Sequence, residues 1–215
     1  MRDSIKNREY FDSFITEDSA RIRDFSDMLK ANQISEKRIG RIKEKIFLID
    51  LGIFIAKYSA GTELNSLCDS FQPLFDAWAD SFSNSNYDAN LKMLSLSILF
   101  NSEQKLTRLK QNLLETGDWL ISFILDGDND KNLAYPDHYA VLQNILKEKD
   151  YASLAGYVKN GWFDKSLDCF CSHKSTEKKY CGYWCLEVAA IIKKLGIDDS
   201  GLKNEKFYPH DLVQF

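Results

Sequence analysis

Between residues 169 and 190 the chain reads CFCSHKSTEKKYCGYWCLEVAA, which gathers four of its five cysteines and one of its three histidines. Thiolate and imidazole are ligands that suit zinc, so Cys169, Cys171, His173, Cys181 and Cys185 are the first candidates for chemistry. Zinc knuckles place two residues between paired cysteines so that both thiolates turn toward one ion. Here the spacings are one residue and three. That pattern argues for free thiols serving as small apolar side chains rather than for a metal centre. A Cys–His nucleophile would need a lowered thiol pKa and an orienting third group, and nothing singles out one cysteine for that role.

Carboxylates are the second candidates. Asp126, Asp128, Asp130 and Asp137 fall at positions 1, 3, 5 and 12 of a calcium loop, but position 6, which needs glycine, is Lys131, and position 12 is the shorter Asp. The stretch reads as an acidic, solvated loop. Asp198 and Asp199 are adjacent and follow a helix stop, where they suit the capping of the next turn better than paired acid–base work. The chain contains no GxxxxGK[ST], HExxH or GxSxG. The sequence calls for no cofactor and no metal.

Charge placement says more. No Lys or Arg occurs from Tyr58 to Leu91, against Glu63, Asp69, Asp76, Asp80 and Asp88. On a helix, Asp69, Asp76 and Asp80 share the face opposite Leu67, Phe71, Leu74 and Trp78. From Glu115 to Asp137 six carboxylates face one lysine, a local −5 that exceeds in magnitude the whole chain's −4. Such faces are either plain solvated surface or a means of steering a basic partner. Glu187, at the edge of an apolar seam, needs a buried donor or a partner.

The elements that must carry these residues are helical. Phe11, Phe14, Ile15, Ile22, Phe25 and Leu29 mark a helix over roughly 6–30. Ser35 caps a second, with its seam at Ile39, Ile42, Ile46, Ile49 and Ile53 and its stop at Gly61. Thr62 caps a third that Pro73 kinks or breaks. Leu91 to Leu99, Leu106 to Leu113 and a short apolar turn or helix over 119–125 follow. Three further helices lie around Tyr139–Leu146, Leu154–Val158 and Trp184–Leu195. No strand alternation appears, so the fold is expected to be all-α, an antiparallel helical bundle of about eight helices. DGDNDKN at 126–132 is the expected boundary between an N-terminal helical domain, 1–125, and a smaller C-terminal one, 126–215, packed on it.

At 215 residues and 44% hydrophobic, the chain can bury a substantial core. Its negative charge argues against direct nucleic-acid binding. The most apolar run, Ile46–Ala56, is about half a membrane span and contains Asp50, so it suits a core helix. With an odd number of cysteines and a charged start (MRDSIKNREYF), the chain reads as a soluble, cytoplasmic protein with reduced thiols.

The C-terminal segment carries a recognisable set of motifs: SHK (172–174), GYWxxExAA (Gly182–Ala190), DDSxL (Asp198–Leu202) and YPxDL (Tyr208–Leu212). MRDSIKNREYFDSFI (1–15), RIGRIKEKIFLIDLGIFIAKYSAG (38–61) and SNYDANLKMLSLSILF (85–100) complete it. Together these resemble the PoNe immunity protein (PoNi) family over nearly the whole chain. Leu186 and Val188 depart from the family's usual aromatic and alanine, a packing variation. The cysteines are not part of the pattern. His173, Gly182, Trp184, Glu187, Asp198, Asp199, Pro209 and Asp211 are its motif residues, with structural or binding roles.

The resemblance implies a cytoplasmic antidote without enzymatic activity that binds a cognate polymorphic-toxin DNase of the type VI secretion kind and blocks its basic nucleic-acid site. Under that reading Asp69, Asp76 and Asp80, or Asp126, Asp128 and Asp130, steer the toxin, and Tyr183 and Tyr208 are anchors or core. Trp184 suits the core. Homodimerisation stays open. The alternatives are a metal-dependent hydrolase with Cys/His or Asp ligands and a helical scaffold for another cytosolic protein.

Overall fold

The computed structural model describes residues 1–127, 129–167 and 171–215. The chain is all-α: among the described residues there is no strand, and the one isolated bridge joins Asp118 to Asn132. Two compact units form, residues 1–83 with 171–182 and residues 84–170 with 183–215.

The first unit is built on three long helices, α1 (Arg8–Lys30), α2 (Glu36–Ser59) and α3 (Leu64–Asp80). Asn7 starts α1 by accepting a hydrogen bond from the Tyr10 amide at 3.0 Å. Ser35 stands at the N-cap of α2, but its hydroxyl makes no capping bond. The N-cap of α3 is Glu63, one residue beyond the expected Thr62. Pro73 lies inside α3 without ending it. Its ring costs the helix one backbone hydrogen bond, on a face that looks to solvent. Helix α2 changes character along its length: residues 36–45 are mostly exposed, whereas from Phe47 to Ala60 it is largely buried.

The α2–α3 turn carries Gly61 at φ +91°, where a Cβ would come within 2.8 Å of the Met1 backbone nitrogen. Only glycine suits that place. The Arg2 and Asp3 amides donate to the Ser59 carbonyl (both 3.0 Å), and the Arg2 guanidinium donates to the carbonyls of Tyr58 and Thr62.

Residues 171–182 return to this unit as a strap. Tyr180 is fully buried, its hydroxyl hydrogen-bonds Asp3, and its amide donates to the Tyr10 hydroxyl at 3.1 Å. Ser59 donates to the Cys181 carbonyl at 2.7 Å, and Lys178 bonds Ser13 and Glu17 on α1.

The second unit is organised around α4 (Tyr87–Leu99), buried on nearly every side. Then come α5 (Lys110–Glu115), α6 (Trp119–Asp126), α7 (Pro136–Glu148), α8 (Ser153–Asn160), α9 (Trp162–Lys165), α10 (Leu186–Leu195) and α11 (His210–Gln214). Short 3-10 turns cover Glu103–Arg108, Ser172–Lys174 and Ser200–Leu202. The helices beyond the expected eight are short pieces such as α9 and α11, too brief for periodicity to reveal. Helix α10 packs against α4 and ends at Gly196 in the left-handed conformation. Its last-turn lysines reach helix ends: Lys193 donates to Leu99 O at 2.7 Å, and Lys194 to Ile124 O and Leu125 O at 2.6 and 2.7 Å. Each ammonium thus satisfies carbonyls that a helix terminus leaves without partners.

Candidate functional site

Helix α3 presents the acidic face. Leu67, Phe71, Leu74, Phe75 and Trp78 are buried, so the core fixes the helix's rotation and leaves Asp69 and Asp80 exposed, with Asp76 half-buried. Asp76 accepts from Gln72 Nε2 at 2.8 Å, a bond along the helix surface. No Lys or Arg occurs between residues 58 and 91, so the helix itself carries no cation.

The second acidic stretch divides. Asp126 is exposed and paired with Lys110 at 2.6 Å, and Asp130 and Asp137 are exposed. Asp128 lies outside the described residues. Asp118 is 1% exposed and therefore contributes nothing to a surface field. It accepts hydrogen bonds from the Ile121 amide (2.8 Å), capping α6, from the Tyr87 hydroxyl (3.1 Å) and from the Ala134 amide (2.8 Å). Lys131, where a calcium loop would need glycine, sends its ammonium to Leu114 O and Ser122 Oγ at 2.7 and 2.9 Å. That interaction ties the loop down from within.

The motif residues sit mostly inward. Glu187 is 6% exposed and accepts from Trp162 Nε1 at 2.6 Å and from the Cys185 thiol, so an indole is among its internal donors. The same carboxylate raises the pKa of the buried phenols Tyr139 and Tyr157, secondary in each to desolvation. Glu187 also lines, with Asp88, Lys92, Tyr139, Trp162 and Ser166, a cleft of about 10 Å3, room for roughly one water.

Asp199 is buried and serves three groups of the C-terminal turn: Tyr208 OH at 3.0 Å, His210 Nδ1 at 2.8 Å and Gln214 Nε2 at 2.9 Å. Burial, then the Asp199 carboxylate, push the Tyr208 phenol far up. Asp198 is exposed and accepts from the Ser200 amide at 3.0 Å, the turn cap its position suggested. That bond lowers its pKa.

Tyr183 and Tyr208 are 2% and 4% exposed, so neither ring offers area to a partner; Tyr183 packs edge-on against Phe163 and Phe207. Trp184 and Pro209 are buried, and Asp211 is half-buried in the first turn of α11. Gly182 has φ +124°, a conformation that favours glycine just where the chain leaves the strap. His173 is half-buried and meets the Tyr180 ring edge-on at 6.2 Å.

Cys171 is exposed, Cys181 half-buried and Cys185 buried; Cys169 lies outside the described residues. Among the described residues, no three His, Cys, Asp or Glu side chains are grouped to hold a metal ion, and no helix is long and apolar enough to cross a membrane.

No curated protein and no solved structure matches the chain. Two family models do. Residues 2–111 match the PoNe immunity protein (PoNi) N-terminal domain, and residues 116–212 match the PoNe immunity proteins (PoNi) C-terminal domain. With both halves matched in order across nearly its whole length, the chain belongs to the PoNe immunity protein family, whose members are inhibitors and not enzymes.

Proposed function

We propose that this immunity protein neutralises a cognate polymorphic-toxin DNase, of the type VI secretion kind, in the cytoplasm by covering its basic nucleic-acid groove with the acidic face of α3. The observation that carries this reading is the run from Tyr58 to Leu91, which has no cation and turns Asp69, Asp76 and Asp80 outward from a fixed core stripe. A nuclease must hold phosphates with Lys and Arg, and an outward row of carboxylates complements that surface. Attraction between the two raises the association rate. Asp126 and Asp130 form a second acidic surface, on which Lys110 pairs with Asp126.

The test is the triple reversal Asp69→Lys, Asp76→Lys and Asp80→Lys, assayed in cells carrying the cognate toxin and by binding kinetics. The reading expects lost protection and an association rate at least about tenfold slower, with the gap closing in high salt. Unchanged protection with unchanged kinetics would remove α3 from the interface.

A further inference from the structure

Of the three long helices in the first unit, one is short for its neighbours. Arg8, the first residue of α1, donates to Ala60 O at the end of α2 at 2.9 Å, so α1 and α2 form an antiparallel hairpin. They hold 23 and 24 residues, about 35 Å each, whereas α3 holds 17, about 25 Å. Phe71 of α3 meets Phe54 of α2 with 6.0 Å between ring centroids. Counting on from that pair, Asp80 at the end of α3 comes level with about residue 45 of α2.

Burial follows this outline. Phe14, Ile49 and Ile53 are buried, but towards the α1–α2 turn Ile22, Phe25, Leu29, Ile34, Ile39 and Ile46 are only half-buried. Ile22, Phe25 and Leu29 continue the stripe of α1, and Ile39 and Ile46 that of α2, at helical steps. The two stripes thus run on past the end of α3 with their cover incomplete. Met28 and Leu48 are exposed outright. Gly40 is a second sign. It stands in the second turn of α2, where glycine weakens a helix. A Cβ there would meet nothing within 4 Å, whereas one at Gly52 would lie 3.7 Å from Phe14. Packing inside the chain gives no reason for glycine at position 40, and the close approach of another backbone does. The same end is cationic. Residues 21–45 carry eight Lys and Arg against four Asp and Glu, a local +4 in a chain of −4. Arg23, Lys37, Arg38, Arg41 and Lys43 are exposed.

We propose that this end of the α1–α2 hairpin receives one amphipathic helix of a partner protein, apolar along one face and acidic along its flanks. The apolar face covers the open seam beside Gly40, and the flanking carboxylates meet the exposed cations. The shortfall of α3, about 10 Å, sets the contact at about two helical turns. Two such ends repel each other, which disfavours a second copy docked end to end. The seam lies recessed between two helix ridges, a shape that takes a third helix better than a flat bilayer. None of the α3 carboxylates takes part, so the proposal is independent of the toxin-groove reading above.

The probe is a labelled synthetic peptide of about fourteen residues, with Leu at steps of three and four and Glu on the flanks, beside a twin with Lys for Glu. Binding to the full chain is read by fluorescence anisotropy, and the contact is mapped by amide chemical shifts. The Glu peptide is expected to bind at least about tenfold tighter than its twin, with shifts concentrated in residues 22–46. Gly40→Trp, whose side chain enters open space, is expected to keep the helical circular dichroism and to weaken binding at least about tenfold. The triple variant Arg38→Glu, Arg41→Glu and Lys43→Glu, all at exposed positions, is expected to prefer the Lys twin. Equal binding of the twins, full binding by a folded Gly40→Trp, or an unchanged preference in the triple variant would each overturn the proposal. Adsorption to phosphatidylserine vesicles without binding of the peptide would overturn it too, assigning the end to a lipid surface.

Discussion

Helix α3 and the second unit both hold a high density of carboxylates, and they use them in opposite ways. On α3, Asp69 and Asp80 are exposed and Asp76 half-buried, and Asp76 accepts from Gln72 of the same helix. In the other unit, Asp118, Glu187 and Asp199 are buried and bonded to Tyr87, Trp162 and Tyr208, residues 31, 25 and 9 positions away. A buried carboxylate costs several kcal/mol unless hydrogen bonds satisfy it, so these three cross-link elements that are distant in sequence. Asp118, Glu187 and Asp199 are therefore architectural, whereas the motif residue Asp198 stands exposed.

The comparison can be broken at either end. The largest effect is expected for Asp118→Ala, which leaves the Tyr87 hydroxyl and the Ile121 and Ala134 amides without their acceptor and should cost about 3 kcal/mol by urea unfolding. A cost under about 0.5 kcal/mol would show that the buried acid is no cross-link. Glu187→Ala should follow at about 2 kcal/mol, with Glu187→Gln milder because an amide oxygen can still accept from Trp162. Equal losses for both would mean that charge, not acceptance, matters at that position.

On α3 the order reverses. The triple lysine variant should leave unfolding within about 0.5 kcal/mol of wild type while slowing toxin association about tenfold. The smallest expected change sharpens the contrast within the first unit. Burial raises the pKa of Asp50 on α2, with Lys57 opposing it, so folding favours the neutral acid and the ionised form carries a penalty. That penalty is present above the folded pKa and vanishes as pH falls below the unfolded value of about 3.9. Asp50→Asn should raise Tm at about pH 7 and leave it unchanged at about pH 3.

Long, periodic elements were legible from the sequence: the seams of α1, α2 and α3 are strong because each helix buries one stripe of large apolar side chains. The orientation of α3's acids followed directly from that stripe. Asp118 was not legible, because its sequence neighbourhood is acidic and only the fold brings Tyr87 and Ala134 to it. The N-cap signal was present but masked by the count of charges around it. Tyr183 and Tyr208 stand in motifs, which mark importance without saying which way a ring points. Short pieces such as α9 and α11 depend on tertiary support that no local pattern encodes.

The strap at 171–182 has a consequence for biosynthesis. Tyr180, Cys181 and Lys178 complete a unit whose other members, Asp3, Tyr10, Ser13, Glu17 and Ser59, leave the ribosome far earlier. The nascent N-terminal helices must wait, with the Tyr180 slot unfilled, until more than a hundred further residues have been translated. Premature termination anywhere before that point would release a product lacking part of its own interior. Such a product is a natural target for quality-control proteases, so the cell's stock of antidote would be enriched in finished chains.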